Sequence, residues 1–153
     1  MSLYYDFEES IGYWMIMAAR SYQRALDQEL GPRGITWRQC QVLGYLALEG
    51  DLTQTELAER MMVESPTLVG ILDRMQRDGW ILRHDCPNDR RKKIIRPTSQ
   101  AEPVWSEIVE CGRRIRARAT QGLSESQRET LMELLGKVRE NLTIDANVKN
   151  TGN

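Results

Sequence analysis

The stretch TQTELAERMMVESPTLVGILDRMQRDGWILRHDCPNDRRKKIIRPT, residues 53–98, decides the architecture. Thr53 stands three residues before Glu56. That is the spacing of a capping box, in which the hydroxyl takes the third helical amide and the acid reaches back to the cap's own N–H. A helix over Gln54–Met61 is expected from it. Ser65-Pro66 opens a second helix, with serine as N-cap and proline at the first helical position, where a missing amide donor is harmless. This helix is expected to reach Asp78, where Gly79 closes it. Trp80-Ile81-Leu82 and Lys93-Ile94-Ile95-Arg96 then look like short strands of bulky and β-branched residues. Asp85-Cys86-Pro87-Asn88-Asp89 between them has turn composition. Two short helices about three residues apart have helix-turn-helix spacing, and a hairpin directly behind them makes a wing.

Outward from this segment, helical periodicity dominates. Upstream, Tyr4, Phe7, Ile11, Trp14, Met15, Ala18, Tyr22, Ala25, Leu26 and Leu30 recur at spacings of three and four, one apolar stripe on a long helix. Gly31-Pro32-Arg33-Gly34 ends it. Capping boxes at Thr36/Gln39, Ser99/Glu102 and Ser124/Gln127 predict helices from Trp37 to Glu49, Gln100 to about Gln121, and Glu125 to about Leu142. The tail from Asn147 is polar and expected to fray. The fold class is therefore mainly α with a small β-hairpin: a winged helix-turn-helix over 35–98, with helices over 1–30 and 99–145 flanking it in one chain unit, 1–153.

Composition narrows the functions. With 153 residues, 41% of them hydrophobic and 28% charged, the chain suits a folded domain, and it contains no apolar run long enough to span a bilayer. The N-terminus lacks a secretory signal, and three well-separated cysteines (Cys40, Cys86, Cys111) form neither a disulfide framework nor a zinc spacing, so a cytoplasmic location is expected. There is one histidine, His84, on the hairpin. No phosphate-cradling glycine loop, HExxH or CxxC is present, so an enzyme is disfavoured, and no cofactor or metal is expected. The net charge is −1, yet residues 83–96 carry six basic and two acidic residues, a local +4 that leaves −5 elsewhere. By itself such a charge run reads as a solvated hairpin edge, which lysines protect; behind a helix-turn-helix it favours contact with DNA.

The motifs Val63-Glu64-Ser65-Pro66-Thr67-Leu68-Val69, Leu72-Asp73-Arg74-Met75, Asp78-Gly79-Trp80-Ile81 and Cys86-Pro87-Asn88-Asp89-Arg90-Arg91-Lys92-Lys93 resemble, in order, the recognition helix, its exit and the wing tip of the MarR family of bacterial transcriptional regulators. Within that family the chain looks most like the SlyA-like branch. The resemblance implies a homodimeric repressor that binds double-stranded DNA. Its terminal helices would interlock through Tyr4, Phe7, Ile11, Leu131, Leu134, Leu135, Val138 and Leu142. Ser65, Pro66, Thr67 and Arg74 would then face the major groove, while Leu68, Leu72 and Met75 pack the core. Arg91 would enter the minor groove, oriented by Asp89, and Arg90, Lys92 and Lys93 would meet phosphates. Gly70 departs from relatives that carry a larger, often basic residue there.

Many relatives are released from DNA by small aromatic anions, and Trp14, Met17, Arg20, Trp37, Arg38 and Cys40 are candidate lining groups here, although Trp14 and Met17 lie near the apolar stripe and read more readily as core. Some relatives sense oxidants through a cysteine in the first helix, and this chain has none there. Cys40 and Cys111 read as buried packing residues. The competing function is a winged helix turned protein-interaction module, which Glu64 and Gly70 favour and the Asp89–Arg91 wing disfavours.

Overall fold

A computed structural model describes residues 5–150, with side chains described as far as residue 143. The elements are α1 (Ile11–Leu30), a 3-10 turn (Gly31–Arg33), α2 (Trp37–Glu49), β1 (Leu52–Thr53), α3 (Gln54–Met61), α4 (Ser65–Arg77), β2 (Ile81–Cys86), β3 (Asp89–Pro97), α5 (Ala101–Ala119) and α6 (Glu125–Asn150). The chain divides into two compact units at Ile115, within α5.

Three of the four capping boxes form as expected. Thr36 with Gln39 and Thr53 with Glu56 make both reciprocal bonds, and Ser124 exchanges bonds with Gln127. The box expected at Ser99/Glu102 does not form. Thr98 takes the position instead: its hydroxyl accepts from the Gln100 amide and donates to the Gly79 carbonyl, so the helix start is tied to the end of α4. The cap of α4 also moves by one residue. Glu64 is the N-cap, without a side-chain bond, Ser65 is the first helical residue, and Pro66 sits within the first turn. Proline at either early position leaves no ladder bond unmade.

The N-terminal helix begins later than the stripe suggested. Ser10 caps it by accepting from the Tyr13 amide, so Phe7 precedes the helix and Ile11 is its first residue. Tyr4 lies outside the described residues. Ahead of the cap, Trp14 Nε1 donates to the Glu8 carbonyl at 2.8 Å, and the Tyr5, Phe7, Tyr13 and Trp14 rings meet edge to face in sequence. At the other end α6 continues as helix through residues 143–150, past the expected stop near Leu142.

The core of the first unit joins α2, α3, α4 and the sheet. Val42, Leu57, Leu68, Leu72, Met75, Ile81 and Ile95 are completely buried, which places Leu68, Leu72 and Met75 where the sequence put them. A Schellman closure ends α4: the Gly79 amide bonds the Gln76 carbonyl and the Trp80 amide bonds the Met75 carbonyl, with Gly79 at φ +79°. The chain therefore leaves α4 straight into β2. The sheet is antiparallel with order β1-β3-β2. β1, two residues long, carries too little periodicity to read from sequence; Leu52 pairs with Ile95 and Thr53 with Ile94.

In the second unit, α6 exposes Leu131, Met132, Leu134, Leu135 and Leu142, and Val138 is half-buried. Among the described residues no helix is long and apolar enough to cross a membrane.

Candidate nucleic-acid interface

The helix-turn-helix is braced from behind. Arg60 of α3 holds Glu49 of α2 at 2.6 Å, and its carbonyl accepts from the Tyr45 hydroxyl at 2.9 Å. The turn is made by Met62 at φ 49°, ψ 50°, a left-handed conformation that costs a non-glycine residue steric strain. Its side chain is 90% exposed.

With Leu68, Ile71, Leu72 and Met75 facing the core, the opposite face of α4 is free. Ser65, Pro66, Thr67, Gly70 and Arg74 are all exposed there. A Cβ at Gly70 would meet nothing within 4 Å. The absent side chain is therefore a gap in the outer face and no packing necessity.

The wing is longer than expected, with a turn of only Pro87 and Asn88. Up the hairpin, Ile81 pairs with Pro97 and Asp85 with Lys93, yet the next pair is Cys86 with Asp89. Arg90, Arg91 and Lys92 thus bulge from β3 with no partners on β2. The three cations sit at the tip, and all are exposed. Asp89 anchors Arg91: its Oδ1 accepts from the Arg91 amide at 3.0 Å and from Arg91 Nε at 3.2 Å. The backbone bond first, and the guanidinium second, hold the Asp89 carboxyl below the usual aspartate range, with Lys92 adding to the effect. Arg91 keeps its other guanidinium nitrogens in solvent, with 91% of its side chain exposed. Lys93 is ion-paired across the hairpin with Asp85, and Arg96 with Asp51.

One residue counted above only as local charge proves to be structural. Arg83 of β2 reaches α4 and donates to Asp73 Oδ1 at 2.6 Å, Gln76 Oε1 at 3.0 Å and the Val69 carbonyl at 3.3 Å. The available signal was the placement of residues 69, 73 and 76 on one helix face, before a single arginine in the following strand.

The six residues considered for a small-molecule site are not brought together. Trp37 and Cys40 line a groove of about 410 Å³ with Tyr22, Tyr45, Leu48 and Trp105, whereas Trp14, Met17, Arg20 and Arg38 are absent from its lining. No lysine or arginine lines it. Arg38 donates to Gln41, a lining residue of the groove, at 2.9 Å. Cys40 and Cys111 are buried, and Cys86 is half-buried. Burial first, then the neighbouring Cys111 and Asp27, push the Cys40 thiol up to about 12, so it is protonated and a poor nucleophile. Among the described residues no cluster of histidine, cysteine or carboxylates forms a metal site.

The family model for MarR matches residues 33–92, the segment just described. That match covers most of the winged helix-turn-helix and leaves the flanking helices outside it. Apo MarR from E. coli superimposes with a TM-score of 0.76 at 28% identity, covering 84% of this chain and 96% of that one. A cysteine-to-serine mutant of E. coli MarR complexed with operator DNA gives a TM-score of 0.77 at 27% identity over 90% of this chain and 99% of that one. BpsR of Bordetella bronchiseptica, described for regulation of its DNA binding by 6-hydroxynicotinic acid, shares the fold at 22% identity, with a TM-score of 0.76 over 90% of this chain and 98% of that one. The MarR-family regulator fold thus extends well beyond the matched segment.

Proposed function

We propose that this chain is a MarR-family regulator of transcription, a homodimeric, sequence-specific DNA-binding protein acting as a repressor on pseudo-palindromic operators. The observation that carries this reading is the wing tip. Asp89 anchors Arg91 by two hydrogen bonds while leaving most of that guanidinium in solvent. A solvated edge strand needs lysines but no such anchor. Ser65, Pro66, Thr67 and Arg74 meet base edges and phosphates in the major groove, and Arg91 enters the minor groove, where narrow A·T-rich DNA concentrates negative potential. Arg90, Lys92 and Lys93 serve phosphates; the exposed Lys93–Asp85 pair is weak enough to exchange partners. The likeness to a MarR mutant complexed with operator DNA supports the same reading. We assign the chain to the SlyA-like branch on the resemblance of its recognition-helix and wing motifs, among them Cys86 to Lys93.

The exposed leucines of α6 and the exposed Phe7 and Ile11 supply apolar surface of the kind that a two-fold dimer buries against its own copy. Two winged helices then address half-sites about one helical turn apart. Release by a small aromatic anion fits the groove at Trp37 and Cys40, with Arg38, one hydrogen bond from its wall, as the cation for a carboxylate.

Selection of bound duplexes from fragmented genomic DNA, paired with sedimentation, tests the proposal. The expected result is a dimer at micromolar concentration that retains duplexes sharing an inverted repeat. Glutamate at both Leu134 and Leu135 is expected to dissociate it. A stable wild-type monomer, or no enrichment at low salt, overturns the reading.

A further inference from the structure

Backbone joins the wing to α4 only through Asp78–Trp80. A hairpin hinged at its base swings unless something holds it further out. Arg83 is that hold. It lies in the third register pair of the hairpin, opposite Ile95, and only 19% of its side chain is exposed. Its guanidinium engages α4 at Val69, Asp73 and Gln76, three points over two helical turns. Its Nε is buried without a hydrogen-bond partner. The fork therefore engages α4 end-on, through Nη1 and Nη2, even though the Nε donor goes unpaired. Lysine, a point charge on a flexible stem, cannot make three such contacts in fixed directions.

We infer that Arg83 is the positioning residue that clamps the wing to the recognition helix, setting the offset between the exposed face of α4 and the Arg90–Lys92 tip. For DNA the inference rests on the reading proposed above: two elements entering adjacent grooves gain from simultaneous engagement only if their spacing is set before binding. Arg83 itself touches no DNA. Its fork is turned inward, and the cations that reach outward lie five or more residues further along the chain.

Two variants separate the clamp from bulk stability. Arg83→Met keeps the apolar stem, and Asp73→Asn removes the charged acceptor at an exposed site. Hydrogen exchange on the free protein is expected to quicken in β2, β3 and the last two turns of α4, while α2 and α3 keep their protection. On operator duplex each variant is expected to bind about tenfold more weakly. In the Arg83→Met background, Arg91→Ala is expected to cost at least about threefold less than in wild type, because an unclamped wing contributes less. Arg83→Lys should behave like Arg83→Met. Unchanged exchange in both variants, or an Arg91→Ala effect of equal size in both backgrounds, overturns the clamp. If Arg83→Met fails to fold, Asp73→Asn alone decides by the same two readouts. If wild type retards no duplex, the DNA-binding reading falls by itself and the exchange experiment still judges the clamp.

Discussion

Arg90→Ala is expected to change the salt dependence of DNA binding by a countable amount. Arg74 on α4 and Arg90, Arg91 and Lys92 at the wing tip are the exposed cations best placed to meet DNA. Arg83 is left out of the count because its guanidinium is turned onto α4. Lys93 is left out because moving from Asp85 to a phosphate exchanges one anion for another with little net counterion release. Arg91 is counted because most of its guanidinium stays in solvent beside Asp89. A two-fold dimer then neutralises about eight phosphates, and counterion release gives a slope of log affinity against log salt of about −7. Between about 50 and 200 mM salt that slope removes about four orders of magnitude of affinity. Arg90→Ala deletes one cation per protomer, about two per dimer, and should bring the slope to about −5 on every duplex. Fluorescence anisotropy of labelled operator at five or six salt concentrations measures both slopes. A wild-type slope shallower than about −3 refutes the placement of these residues on DNA. So does an Arg90→Ala variant that binds more weakly with an unchanged slope, since that variant has lost structure and no phosphate contact.

Other expectations follow from single residues. Asp89→Ala removes a negative charge from the tip, so charge alone predicts tighter binding; loss of the anchor for Arg91 predicts weaker binding, and weaker binding is expected, with Arg91→Ala costing about tenfold or more and most on A·T-rich flanks. Titration of operator with both variants gives the sign, and tighter binding by Asp89→Ala would sink the anchor. Met62→Gly relieves a left-handed residue whose side chain is 90% exposed, and should raise stability by about 0.5–1 kcal/mol after the entropic cost of glycine; an unchanged or lower urea midpoint contradicts this. Cys40, raised in the fold from an ordinary 9.0 to about 12, contributes stability that is complete below pH 9.0 and is lost as pH rises towards 12. Thermal melts should therefore decline above pH 9.0, and less so for Cys40→Ala; identical alkaline slopes for the two proteins would refute the assignment.

What was legible in the sequence was what local chemistry decides. Thr36/Gln39, Thr53/Glu56 and Ser124/Gln127 each contain both halves of a reciprocal cap, so three helix starts read to the residue. The same pattern at Ser99/Glu102 misled, because Thr98 finds the Gly79 carbonyl, a partner nineteen residues away that no local rule contains. The start of α1 was misplaced for a related reason. Tyr4 and Phe7 continue the helical period, but Ser10 has Tyr13 and no acid or amide three residues on, so the actual cap carries half a signature. The wing motif placed Asp89 beside Arg91 correctly, a two-residue relation. The Arg83 clamp and the β1 pairing are relations between segments, and the groove gathers only Trp37 and Cys40 because α1 turns Trp14, Met17 and Arg20 elsewhere.

The bulge at the wing tip bears on how this chain changes over evolutionary time. Residues 90–92 sit outside the strand ladder, beyond the last regular pair, Asp85 with Lys93. Codons gained or lost there lengthen or shorten the basic tip without shifting the frame of inward and outward positions along β3. Ile95 stays opposite Arg83 and in the core whatever happens above it. One inserted residue below Lys93 would instead flip every side chain of that strand to the wrong face. Tip length and charge are therefore free to drift between lineages by insertion and deletion, while the strand beneath can change only by substitution.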